Sequence, residues 1–161
     1  MSAGEPIVLQ ASAVSIGGRA LLIAGPPGSG KSSLALGLID RGAGLIGDDA
    51  VTLQREGEAL IAAPPPNIAG LLELRGIGLV HFAVAPPAPV ALMLELGGAP
   101  ADRLPETPLP CRDIAGVAVP VLRFDPGPIA PALRAEWALA VHGLPAKPPS
   151  LSAASAQQEP R

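Results

Sequence analysis

The sequence predicts an α/β fold with a mixed sheet and few helices. The apolar run at residues 20–24 precedes a glycine-rich loop and a segment of helical spacing, the order of a strand, a phosphate-binding loop and a helix. Other β-type segments are joined by short glycine-containing turns, which predict antiparallel hairpins. Only residues 33–41 and 132–142 have a convincing helical pattern. Parallel and antiparallel pairs are therefore expected in one mixed sheet.

The first half of the chain predicts five strands and one helix. The strands are residues 7–16, 19–24, 44–47, 51–54 and 59–62. Gly17 and Gly18 join the first two strands, and Gly57 lies between the last two, as hairpin turns require. Leu34, Leu38 and Ile39 share a face of the predicted helix 33–41, and Gly42 follows it at a C-terminal cap position.

The second half is interrupted by proline. Residues 64–66 and 86–89 mark loops, and residues 71–82 contain a glycine turn. Residues 90–96 and 117–124 predict strands, with a loop at residues 101–110 between them. Pro131 suits the first turn of a closing helix that runs to His142.

Composition and charge limit the classes of function. The 161 residues are 48% apolar and carry a formal net charge of −3, which predicts one globular domain at residues 1–144. Residues 145–161 are rich in Pro, Ser, Ala and Gln and are predicted to be a disordered tail. Nucleic-acid and membrane partners are not expected, because both require a basic surface. Cys111 is the single cysteine and no leader-like segment opens the chain, so a cytoplasmic location is expected.

The loop after the second predicted strand has the form of a Walker A motif. It comprises Gly25, Pro26, Pro27, Gly28, Ser29, Gly30, Lys31, Ser32 and Ser33. Glycines allow backbone N–H groups to converge on phosphate oxygens, and Lys31 can reach the β- and γ-phosphates. Ser32 offers a hydroxyl to Mg²⁺, and the N-terminus of the following helix favours the anion. The segment predicts a nucleotide site, although a glycine-rich turn without a ligand has the same composition.

An acidic pair, Asp48 and Asp49, follows the predicted strand 44–47. Open α/β sheets place their ligands beyond the carboxyl ends of strands. A phosphotransferase needs one carboxylate near Mg²⁺, and a kinase often uses another to accept the proton of the incoming hydroxyl. A turn or a helix cap would also explain the pair, but the Walker A loop upstream favours the catalytic interpretation.

A third motif comprises Leu72, Glu73, Leu74, Arg75, Gly76, Ile77 and Gly78. Alone, it fits a strand with one ion pair and a tight turn. Together with the loop and the acidic pair, it resembles the signature of the HPr kinase/phosphorylase family, which combines a Walker A loop, an acidic pair and an L-E-[IL]-R-G-[IL]-G stretch. The resemblance runs from about Leu9 to near His142 and is to the short form that lacks an N-terminal domain.

The resemblance implies a carboxykinase-like P-loop fold and a bacterial regulator that uses ATP and Mg²⁺. Such an enzyme phosphorylates a serine of the phosphocarrier HPr, or a related carrier, of the phosphotransferase system; many members also remove the phosphate by phosphorolysis. By resemblance, Lys31 contacts phosphate, Ser32 and Glu73 bind Mg²⁺, and Asp49 is the acid/base. Arg103 matches a catalytic arginine, with a solvated loop charge as the alternative. A hexamer is also implied.

Two departures from the family pattern concern proton transfer and dephosphorylation. Gln10 stands where the family has a histidine, and an amide cannot transfer protons as an imidazole does. The late loop at residues 122–128 has one arginine and an acid, where longer members have several arginines and glycines. The kinase reaction is therefore predicted, while the phosphorylase reaction is left open. His81 is interpreted as a strand residue, with an active-site role left open by its place beside the third motif. His142 is interpreted as a capping or solvated residue, and Cys111 as a small structural residue.

Two other functions fit the same motifs. A small-molecule P-loop phosphotransferase, or a carboxykinase-like enzyme, would share the loop but act on metabolites. A nucleotide-sensing interaction module would bind ATP without transferring phosphate, which is consistent with Gln10 and the reduced late loop.

Overall fold

A computed structural model describes residues 4–146 of the chain. This part contains eleven strands and two helices. In chain order they are β1 Ile7–Leu9, β2 Ser12–Ile16, β3 Arg19–Ala24, α1 Lys31–Asp40, β4 Gly44–Gly47, β5 Val51–Glu56, β6 Ala59–Ala63, β7 Leu71–Leu74, β8 Gly78–His81, β9 Ala88–Glu95, β10 Cys111–Ile114, β11 Val117–Arg123 and α2 Pro131–His142. The predicted disordered tail lies outside the described residues, except for residues 145 and 146.

Nine of these strands form one mixed sheet. Its main path has the order β1-β5-β6-β9-β3-β2-β4, and β11 also pairs with β9 and carries β10. The β3–β9 and β9–β11 pairs are parallel, whereas the other pairs in the sheet are antiparallel. β7 and β8 form a separate antiparallel hairpin. The predicted α/β fold with a mixed sheet and few helices is thus confirmed.

The two faces of the sheet bury two separate apolar clusters. Leu21 and Ile23 of β3 point to the face that both helices cover, while Leu22 points to the opposite face. In β9 the same alternation sends Leu92 to the helices and Met93 away from them. Successive side chains of a strand alternate between faces, so a nearly continuous apolar run is what a strand covered on both sides requires.

The predicted strand at residues 7–16 is wrong, because the chain bends after Leu9 and forms two strands. β1 pairs with β5, whereas β2 pairs with β3 and β4. The Ala11 amide donates to the Leu9 carbonyl at 3.0 Å, which closes the bend. The apolar pattern continues through the bend, so the sequence gives no break at this position.

Smaller differences concern the ends of elements and one hairpin. Helix α1 starts at Lys31, two residues before the predicted start, because Gly30 has a left-handed φ of 100° and occupies the N-cap. Strand β10 was not predicted; three of its four residues are exposed, so it lacks a clear apolar pattern. Both predicted hairpins of the first half are present as β2–β3 and β5–β6. No helix within residues 4–146 is long and apolar enough to span a membrane.

Candidate nucleotide site

A cavity of about 610 Å³ opens where the loop after β3, the start of α1 and the end of β4 meet. It is lined by Gln10, Gly25, Pro26, Pro27, Gly28, Gly30, Lys31, Ser32, Ser33, Asp48, Asp49, Glu73 and Arg75. These residues include most of the predicted Walker A loop, both aspartates and two members of the third motif. The fold therefore brings together three segments that are far apart in the sequence.

The backbone of the loop requires glycine at its first position. Gly25 has a φ of 155°, and a Cβ built there would lie 2.6 Å from Ser29 Oγ and 2.7 Å from the Leu96 carbonyl oxygen. The Ser29 amide donates to the Pro26 carbonyl at 3.1 Å, which makes the next turn. Ser29 Oγ is buried and has no hydrogen-bond partner among residues 4–146. The loop thus holds a close-packed turn with a polar atom left unsatisfied.

Lys31 is the first residue of α1, and its side chain folds back over the loop. Its Nζ donates to the Gly25 carbonyl at 2.8 Å and to the Pro26 carbonyl at 3.2 Å. The residue is 8% exposed, so its ammonium group is held against carbonyl dipoles rather than against a carboxylate. Within the described chain, no side chain caps the N-terminus of α1. Free backbone N–H groups and a lysine therefore converge at one point, as phosphate binding requires.

The two aspartates have different environments. Asp48 Oδ1 accepts hydrogen bonds from Ser32 Oγ at 2.7 Å and from Ser12 Oγ at 2.9 Å, and the Glu73 amide lies 3.5 Å from Oδ2. Asp49 has a left-handed φ of 65°, and its amide donates to Ser12 Oγ at 3.4 Å. Asp48 is therefore tied to the Walker A serine, whereas Asp49 presents its side chain to the same cavity without such a bond in the described part.

Ser12 is a site residue that the sequence interpretation missed. It lies at the start of β2, is 0% exposed and contacts both members of the acidic pair. The available signal was a hydroxyl in an otherwise apolar strand start, next to Ala11 and Ala13. Such a residue needs a buried polar partner, but the sequence does not say which one.

The third motif contributes two of its seven residues to the cavity. Glu73 of β7 and Arg75 of the following turn line the cavity, while Leu72 is fully buried and anchors the hairpin. The other four, Leu74, Gly76, Ile77 and Gly78, do not line it. Ile77 is 77% exposed at the tip of the hairpin, so its side chain is available to a partner surface.

Arg103 is not brought to this cavity. It is exposed in the loop between β9 and β10, and its neighbour Asp102 lines a different cavity of about 280 Å³ beside α2. His142 also lines that second cavity. His81 ends β8 and is exposed, outside both cavities. The catalytic role predicted for Arg103 therefore has no geometric support from its position, and it stays a prediction.

The donor atoms of the larger cavity fit a nucleotide-bound Mg²⁺. Among residues 4–146, no three His, Cys, Asp or Glu side chains gather into a cluster that could hold a metal by themselves. Magnesium usually takes one or two protein oxygens and completes its shell with phosphate and water. The Ser32 hydroxyl and the Asp48 carboxylate, 2.7 Å apart, are oxygen donors of this type. Three acidic and two basic side chains line the cavity, which suits a cation together with an anion.

The mixed sheet with its strand–loop–helix unit places the chain in the class of P-loop α/β domains. The sequence model of the HPr Serine kinase C-terminal domain matches residues 4–85, about half of the chain. The chain belongs to this family, which confirms the resemblance predicted from the motifs. All residues that line the larger cavity fall within the matched part.

Named relatives agree with this assignment. The HPr kinase/phosphorylase of Chlorobium phaeobacteroides is 44% identical over 71 residues, which are 43% of this chain and 22% of the relative. That of Geobacillus thermodenitrificans is 38% identical over 91 residues, 52% of this chain and 29% of the relative. The aligned part thus spans between a fifth and a third of these relatives.

A solved structure matches more of the chain. The HPr(Ser) kinase/phosphatase of Coxiella burnetii superposes with a TM-score of 0.71 at 28% identity, covering 84% of this chain and 95% of that chain. The match extends well past residue 85, where the family match ends. The fold is therefore that of the family even where the sequence similarity weakens.

Proposed function

We propose that the chain is a protein-serine kinase that transfers the γ-phosphoryl group of ATP to a serine of HPr or a related carrier, with Mg²⁺ as the metal. The observation that carries the proposal is that Ser32 of the loop bonds Asp48 of the acidic pair at 2.7 Å, beside Lys31 and Asp49 in one cavity. The names of the relatives support the carrier: they are HPr kinase/phosphorylases.

The loop would hold the triphosphate. Backbone N–H groups of residues 28–33 and the Lys31 ammonium would bind phosphate oxygens. To do so, the ammonium would give up its hydrogen bonds to the Gly25 and Pro26 carbonyls. Bound Mg²⁺ would neutralise charge between the phosphates. Ser32 and Glu73 would be its protein ligands, and Asp48 would orient its water shell. Such positioning and charge stabilisation account for most of the catalysis in phosphoryl transfer.

Asp49 would act as the general base. Its carboxylate would accept the proton of the carrier serine as the serine oxygen attacks the γ-phosphorus and the bond to the β-phosphate oxygen breaks. In phosphorolysis, inorganic phosphate would attack the phosphorus of the phosphoserine, the bond from phosphorus to the serine oxygen would break with formation of pyrophosphate, and Asp49 would return the proton to the serine oxygen. Gln10 lines the cavity, and the family resemblance aligns it with a histidine, so a proton transfer by imidazole at that position would be absent from this phosphorolysis.

The assembly and location of the protein belong to the same proposal. The family resemblance suggests a homo-oligomer, specifically a hexamer, in the cytoplasm. Arg103 would have to reach the site from its exposed loop if it takes part in catalysis.

The decisive experiment measures the transfer of labelled phosphate from ATP to HPr in the presence of Mg²⁺, with HPr purified from the organism that encodes this chain. Asp49→Asn should lower transfer about 10²- to 10⁴-fold, the usual contribution of general-base catalysis, while ATP binding persists. Asp40→Asn is the matched control, since Asp40 ends α1 outside the cavity. Unchanged transfer in Asp49→Asn would refute its role as base.

The same assay separates the alternatives. Mg²⁺-dependent ATP binding by the wild-type chain with no label on HPr would favour a nucleotide-sensing module. Transfer of label to a metabolite but not to HPr would favour a small-molecule phosphotransferase.

A further inference from the structure

We infer that Ser12 is a positioning residue that fixes both aspartates of the acidic pair relative to the Mg²⁺ position. The inference rests on the proposed function for its catalytic meaning, but the contacts themselves join residues of the chain alone. Ser12 is one of the two polar or charged residues that are buried in the described part, the other being Lys31.

The strand that carries Ser12 is held by pairing with strands on both of its sides. Ser12 begins β2, which pairs with β3 on one side and β4 on the other. Ala13 is opposite Gly47, so the antiparallel register places Ser12 beside Asp48. Ser12 itself pairs with Ile23 of β3 and is fully buried, so it has little freedom to move. Ser12 Oγ is therefore held at a fixed position behind Asp48 and Asp49, which line the cavity.

The Ser12 hydroxyl uses both of its hydrogen-bonding capacities on the pair. It donates its single proton to Asp48 Oδ1 at 2.9 Å and accepts the Asp49 N–H at 3.4 Å. A hydroxyl has one donor and two acceptor positions, so these two bonds are compatible. One side chain thus fixes the carboxylate of Asp48 and the backbone of Asp49 at the same time.

The backbone of Asp49 needs such support. Its φ of 65° lies in the left-handed region, which residues other than glycine adopt at a cost. That conformation determines where the proposed base points. The bond from the Asp49 amide to Ser12 favours this conformation over the alternatives.

Ser12 and Ser32 together set the orientation of the Asp48 carboxylate. Asp48 Oδ1 accepts a hydrogen bond from Ser12 Oγ at 2.9 Å and one from Ser32 Oγ at 2.7 Å. A hydroxyl has one proton and two lone pairs, so Ser32 can offer an oxygen lone pair to a cation while its proton stays on Asp48 Oδ1. Ser12 is the second side-chain donor to that oxygen within the described residues and would hold the carboxylate of Asp48 from the strand while Ser32 holds it from the helix.

The first test uses the ligand-free protein. Hydrogen exchange at the Asp49 amide, followed by NMR, should be faster in Ser12→Ala than in the wild type. The control is Ser15→Ala, on the same strand but outside the cavity, and it should leave that exchange unchanged. Equal exchange in Ser12→Ala and Ser15→Ala would refute the contact as a restraint on Asp49.

The second test is calorimetric titration with ATP, in EDTA and at increasing Mg²⁺ concentration. Ser12→Ala should leave ATP affinity in EDTA unchanged but reduce the enhancement by Mg²⁺ about tenfold, the loss expected for one hydrogen bond to a charged group. Ser12→Thr keeps the hydroxyl and should restore the enhancement. Ser12→Cys introduces a weaker donor of similar size, so its enhancement by Mg²⁺ should be intermediate. It replaces Ser12→Thr in the test if the added methyl group of threonine prevents folding.

The outcomes separate this inference from the proposed function. If Ser12→Ala weakens ATP binding equally with and without Mg²⁺, or matches Ser15→Ala throughout, the positioning role is wrong. If the wild type shows no transfer to HPr, the proposed function fails, but the exchange and Mg²⁺-enhancement measurements still decide the role of Ser12.

Discussion

Replacing Gly25 by alanine tests the close packing of the loop against the sheet. The new Cβ would lie 2.7 Å from the Leu96 carbonyl oxygen and 2.6 Å from Ser29 Oγ. Ser29 could rotate away, but Leu96 is fixed because its amide donates to the Ala24 carbonyl at 2.8 Å. The backbone must therefore shift, so Gly25→Ala should be destabilising even without a nucleotide.

The expected loss in the free energy of unfolding has two parts, and a control variant separates them. A non-glycine residue at positive φ costs about 1–3 kcal/mol, and forcing atoms into a packed site adds about 1–3 kcal/mol. Gly42→Ala carries mainly the first cost, since Gly42 has a φ of 110° and a Cβ there would meet no atom of the described residues within 4 Å. We expect Gly25→Ala to be less stable than Gly42→Ala by about 2 kcal/mol, a difference of about 4–8 °C in Tm.

Urea unfolding followed by circular dichroism would measure this difference, with Tm from calorimetry as a check. Both variants should keep the slope m of the wild type, because the surface exposed on unfolding is unchanged. Equal midpoints for Gly25→Ala and Gly42→Ala would refute the reasoning, since the contact with the Leu96 carbonyl would then carry no cost.

Two further predictions concern the lysine of the loop and the link between the helices. Lys31→Met keeps an apolar stem of similar length and removes the ammonium group. Phosphoryl transfer to HPr should therefore fall about 10²- to 10³-fold, while the far-ultraviolet circular dichroism spectrum stays unchanged. A transfer rate within tenfold of the wild type would contradict this prediction. An ion pair between Arg41 Nε and Glu136 Oε1, at 2.9 Å, links the end of α1 to α2, and the two side chains are 45% and 26% exposed. Because exposed pairs are screened by solvent, Glu136→Gln should lower the free energy of unfolding by less than about 1 kcal/mol. A larger loss in urea unfolding would show that this ion pair is not screened as an exposed pair should be.

Local patterns predicted much of the fold because they encode local geometry. The turn at Gly17 and Gly18 predicted the β2–β3 hairpin, and the spacing of Leu34 and Leu38 predicted the buried face of α1. The bend between β1 and β2 was missed because it depends on pairing with β5, about forty residues away in the sequence. Strand β10 was missed for a related reason: its residues are mostly exposed, and pairing with β11 alone makes them a strand.

For the site too, local motifs were predicted from the sequence, whereas contacts between distant segments were not. The Walker A spacing and the acidic pair predicted which residues would line the cavity, and the structure brings them together. The sequence also suggested Arg103, whose position beside neither the loop nor the aspartates shows that a motif in an exposed loop does not locate a side chain. Ser12 carries no motif of its own, and only its contacts with Asp48 and Asp49 reveal it.

The order of residues alone predicted a phosphate-binding loop, the mixed strand pattern and the family, because glycine spacing, hydroxyl and carboxylate types and apolar alternation act over short stretches of chain. The tertiary structure decided that Ser32 meets Asp48, that Glu73 and Arg75 reach the same cavity, and that a buried serine joins the two aspartates. These contacts depend on strand pairing between distant segments, and pairing is set by the cooperative packing of the whole sheet rather than by any one segment.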